Sequence, residues 1–117
     1  MLTNFNIMKT RDEIIELAHN KTCEDIVEMS LILSESIRQF LSRFLMYTSE
    51  ENPKKGSWVI ETDEDCGISD AQKITINSMY QHPTEGLIYI RFDGNDYYYN
   101  IDELSTELLV FIVQALS

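Results

Sequence analysis

Positive charge is scarce in this chain. Nine Lys and Arg stand against twenty Asp and Glu, a formal net charge of −11 over 117 residues. Affinity for nucleic acid comes mainly from Lys and Arg on phosphate, so direct nucleic-acid binding is not expected. Long apolar runs are also missing. The longest, residues 108–113, is far short of the ~20 residues of a membrane span, so no membrane insertion is expected. The first nine residues lack the basic start and apolar core of a secretory signal, which points to the cytoplasm. Four glycines and two prolines are too few for a low-complexity or collagen-like chain. Two cysteines, Cys23 and Cys66, are too few for a disulfide framework and read as free thiols in a cytosolic chain.

What is present fits one domain spanning residues 1–117. Residues 1–8 carry little pattern and read as a disordered lead-in, and Met8 is a second candidate start. Thr10-Arg11-Asp12-Glu13 has the spacing of a capping box, followed by a short helix that Asn20 ends. Thr22 restarts a helix expected over residues 23–47. Its apolar face holds Ile26, Met29, Leu33, Ile37, Phe40, Leu41, Phe44 and Tyr47, and Val27, Leu31 and Leu45 widen it. Pro53 and Gly56 mark the break.

The hydrophobic period then changes to two. Strands are expected over residues 57–62, 72–80, 86–92 and 96–101, joined by short turns that favour an antiparallel meander. Alternation assigns Trp58, Ile60, Ile74, Ile76, Tyr80, Ile88, Ile90 and Tyr97 to the helix-facing side. It assigns Val59, Met79, Leu87, Tyr89, Arg91 and Tyr98 to the other. Asp102 is expected to cap a last helix over residues 103–116, apolar nearly all round. The fold class is therefore α+β: an N-terminal helical pair, a four-stranded antiparallel meander and a C-terminal helix, with the helices on one face of the sheet.

Chemistry-bearing patterns are weak. His19 and Cys23 are four apart, but Asn20 and Thr22 break the helix between them. No second pair lies near, and Cys66 and His82 would have to arrive by folding. The stretch 61–70 resembles a calcium loop only in composition, since it lacks the central glycine and terminal glutamate. No phosphate loop, nucleophile elbow or zinc-protease motif is present, so no cofactor, metal or catalytic residue is assigned. Two surfaces remain. Residues 50–70 hold seven acids and two bases. Glu61, Asp63, Glu64, Asp65 and Asp70 are the candidates there for an acidic surface that binds a basic protein, as an inhibitor or immunity-type protein would. Tyr89, Tyr98, Leu87 and Arg91 on the sheet, with Leu109, Val110 and Val113 on the last helix, are candidates for a homodimer interface. The expectation is a small acidic, non-catalytic protein-interaction module that self-associates. The alternatives are an inhibitor acting through its acidic surface and, last, a small-molecule or metal-dependent enzyme.

Overall fold

The computed structural model describes residues 10–20, 26–62 and 72–116. The element order is α1 (Arg11–Asn20), α2 (Ile26–Phe44), β1 (Lys54–Glu61), β2 (Lys73–Gln81), β3 (Ile88–Phe92), β4 (Tyr99–Asn100), a 3-10 turn (Ile101–Glu103) and α3 (Thr106–Ala115). The strands form one antiparallel meander in the order β1-β2-β3-β4. All three helices contribute to a single core on one face of that sheet, the α+β layer expected from the change of period. Among the described residues, no helix is long and apolar enough to cross a membrane.

The capping box forms at α1. The Thr10 hydroxyl accepts from the Glu13 N–H at 3.3 Å, and Ile14 one residue on is fully buried. In α2, Leu33, Ile37 and Leu41 recur every four residues and are buried, and Leu45 continues the stripe past the helix end. The stripe is narrower than expected, because Leu31 is 70% exposed. The helix also stops short of Tyr47. The chain must reverse into β1 there, and Tyr47 adopts a left-handed φ of 71° with its ring in solvent. Lys54 ties off this end: its Nζ donates to the Phe44 carbonyl at 3.4 Å and lies 3.5 Å from the Phe44 ring centroid.

The C-terminal part departs from the sequence reading in two ways. The fourth strand is only Tyr99–Asn100, and the chain passes straight into the 3-10 turn, capped by the Asn100 side chain on the Asp102 N–H at 3.0 Å. Asp102 therefore does not cap α3. It pairs with Arg38 of α2 at 2.8 Å, while Ser105 caps α3 by accepting from Leu108 N–H at 3.2 Å. The other departure concerns the apolar girdle of α3. This helix packs against α1, α2 and β1, so residues on several of its sides lie inside the chain. Leu109, Val110 and Val113, expected at a dimer interface, are buried in the core.

Register explains which side chains face the helices. Trp58, Ile76 and Phe92 form one row across the sheet, and Lys54, Met79, Ile90 and Tyr99 form another, both on the helix side. Between them, Ile76 pairs with Phe92 but Ser78 pairs with Arg91, so Asn77 is an extra residue in β2. This bulge reverses the alternation beyond it. Met79 turns into the core and Tyr80 turns out, the opposite of the simple period-two expectation. Tyr97 precedes the short β4; its ring packs on Tyr99 of the helix-side row, but at 59% exposure it stays outside the core.

Candidate functional site

The outward rows of the sheet follow from the same register. Tyr80 of β2 lies opposite Tyr89 of β3, which lies opposite Asn100 of β4. The next row is Lys55, Ser78 and Arg91. Beyond the bulge come Val59 with Thr75, and then Glu61 with Lys73. Glu61 is the one acid in these rows, and Lys73 answers it across the strands at 3.4 Å.

Three tyrosines make a packed layer here. The rings of Tyr80 and Tyr89 stack with centroids 5.0 Å apart, and Tyr98 meets Tyr80 edge-on at 4.8 Å. Tyr80 at the centre is only 6% exposed, whereas Tyr89 and Tyr98 are half-buried. The Tyr98 hydroxyl lies 3.0 Å from Ser78 Oγ, which anchors the ring to β2. The guanidinium of Arg91 lies 5.7 Å from the Tyr98 centroid, and its Nη2 donates to Asn77 Oδ1 at 2.6 Å. The bulged residue thus holds the arginine beside the tyrosine layer. Burial raises the phenol pKa of Tyr80 above its ordinary 10.0, and the negative charge of Glu50 adds to this.

The remaining sequence candidates lie elsewhere. Leu87 is half-buried in the turn before β3 and borders a crevice with Arg38 and Ser42. Asp63, Glu64, Asp65 and Asp70 lie outside the described residues, as do Cys23 and Cys66 and the side chain of His19. His82 serves its own turn: Nδ1 accepts from the N–H groups of Glu85 at 3.1 Å and Thr84 at 3.3 Å. Among the described residues, no group of three or more His, Cys, Asp or Glu is placed to hold a metal ion. On the helix side, an open groove of about 490 Å³ lies between the sheet and α3, lined by Ile74, Phe92, Tyr99, Leu104 and Leu108 among others. Tyr99 donates there to the Tyr97 hydroxyl at 3.0 Å, a bond that raises the Tyr99 pKa.

Tyr89, Tyr98 and Arg91 are thus brought together as the sequence reading expected. Tyr80, Ser78 and Asn77 were missed. The signal was in the spacing: Ile74 and Ile76 are two apart, but Met79 follows three later, with the polar pair Asn77-Ser78 between. An apolar spacing of two and then three marks an inserted residue. The chain matches no protein-family model, and neither the curated proteins nor the solved structures contain a significant match to it.

Proposed function

We propose that this protein is a non-catalytic protein-interaction module whose contact surface is the outer face of the sheet. The observation that carries the reading is the ordered layer of Tyr80, Tyr89 and Tyr98, with Arg91, on the face opposite the three helices. Tyrosine and arginine are the residue types enriched at interface centres, because each offers a large, stiff contact area with a polar end. The layer is already ordered by Ser78 and Asn77, so binding loses little side-chain entropy. Lys55 and Arg91 share the adjoining row in a chain that is otherwise strongly acidic. That combination suits a partner segment presenting carboxylates beside apolar side chains.

The test is affinity capture from the source cells, comparing the wild-type chain with Tyr89→Glu and Arg91→Glu. The reading expects one protein to be enriched by the wild type and lost with both variants. Equal capture by all three would reject the sheet face as the contact surface.

A further inference from the structure

Strand β1 lies at one border of the sheet. It pairs with β2 alone, and among the described residues no backbone hydrogen bond reaches its other edge. Five of its eight residues are exposed, and Val59 is 49% exposed despite being apolar. A free strand edge is a row of unpaired donors and acceptors, which a protein either blocks or uses. Lys54, one of the two lysines here, is folded back over Phe44 and does not guard the edge. Lys55 stays exposed on the outer side, and Glu61 lies on that same side at the other end of the strand.

These two charges are complementary to each other under a two-fold axis. When two copies of one strand pair antiparallel, directly opposed residues share a face of the joined sheet. For β1 this restricts the register to those centred on a residue. Centring on Trp58 sets Lys55 opposite Glu61 of the second copy, Glu61 opposite its Lys55, and Ser57 opposite its Val59. Centring on Ser57 sets Lys55 opposite Val59, and centring on Val59 sets it opposite no residue of β1. A crevice of about 320 Å³, lined by Val59, Ile60, Phe111 and Ala115 among others, runs between this strand and α3 beside the same edge.

We propose that the β1 edge is a self-docking surface. Two copies pair antiparallel about Trp58, and their two four-stranded sheets join into one. Within β1 the lysine that would repel a foreign strand is answered by an acid of the second copy in this register, so it favours this partner and this alignment. The axis stands perpendicular to the sheet, and both tyrosine layers face the same way. This rests on the reading of the chain as an interaction module and supplies its dimer, with two contact surfaces side by side.

Sedimentation equilibrium of the full chain tests it, at low and at physiological salt, with circular dichroism to confirm that each variant is folded. The wild type should reach twice the 13.6 kDa chain mass. Lys55→Glu and Glu61→Lys should each weaken the dimer roughly tenfold or more, because each places like charges opposite one another twice. The double swap, Lys55→Glu with Glu61→Lys, should recover most of that loss. A wild type that stays monomeric into the high micromolar range would overturn the proposal. So would a Lys55→Glu dimer as tight as the wild type, or a double swap no better than the single changes. Tyr89→Glu separates the two surfaces. It should leave the dimer intact while abolishing capture of the partner. If Tyr89→Glu dissociates the dimer and Lys55→Glu does not, the edge proposal falls and the sheet face stands as the contact surface.

Discussion

At the scale of single residues, Gly56 and Tyr80 are the sharpest cases. A Cβ on Gly56 would fall 2.6 Å from the Trp58 ring, which itself meets Phe44 edge-on with centroids 6.0 Å apart. The indole occupies the space that a side chain at residue 56 would need. Gly56→Ala must therefore displace the Trp58 ring or the backbone beneath it, and it is expected to cost about 1–3 kcal/mol in a urea titration. Trp58 is the sole tryptophan, so its fluorescence should also shift in the folded state. Tyr80 gives a pH signature. Its phenol ionises above 10.0 when folded, so the unfolded chain loses that proton more readily. The stability held by the neutral phenol is complete below pH 10 and is lost as pH rises through the raised folded value. Tyr80→Phe should flatten the fall in stability across that alkaline range, measured by denaturant midpoints in steps of pH. An unchanged slope would show that the phenol is not desolvated by its neighbours.

Among the elements, the bulge in β2 decides the most. It places Met79 at 0% exposure opposite Ile90, in the core row that crosses to Lys54. Met79→Ala is expected to cost about 2–5 kcal/mol, the range for emptying a packed aliphatic site. Leu31→Ala, on the exposed side of α2, should fall within about 0.5 kcal/mol of wild type. Equal costs would mean that β2 keeps plain alternation and that Met79 points outward. This element also shows what could be read in the sequence. The switch from a helical period to a period of two was legible, and with it the helix–sheet order and the antiparallel meander. Within β2, side-chain facing is legible only up to Ile76, because plain alternation does not hold through the extra residue Asn77. The last helix was misread at its start, because Asp102 satisfies the same local rule as Ser105, and only the tertiary pairing with Arg38 separates them. Its apolar girdle was misread as excess surface. Three packing neighbours, absent from any local pattern, account for it.

For the whole molecule, one face of the sheet carries the helices and the core, and the other carries a tyrosine layer beside two basic side chains. Half of the proposed contact surface was legible, since Tyr89, Tyr98 and Arg91 follow from alternation in a short regular strand and its neighbour. Tyr80 was not, because its direction depends on the bulge. The net charge of −11 favours long-range repulsion between copies, screened beyond roughly 8 Å at physiological salt. Contacts between sheet edges or sheet faces lie inside that range. The central claim is that the tyrosine face is where another protein sits. The most direct measurement is covalent labelling of tyrosines, read by mass spectrometry, on the free chain and on the complex that the wild type captures. Tyr47, at 89% exposure in the turn after α2, serves as the internal reference and should label equally in both states. The account predicts that Tyr89 and Tyr98 label in the free chain and are protected in the complex. Labelling of both to the same extent with and without the partner would contradict it.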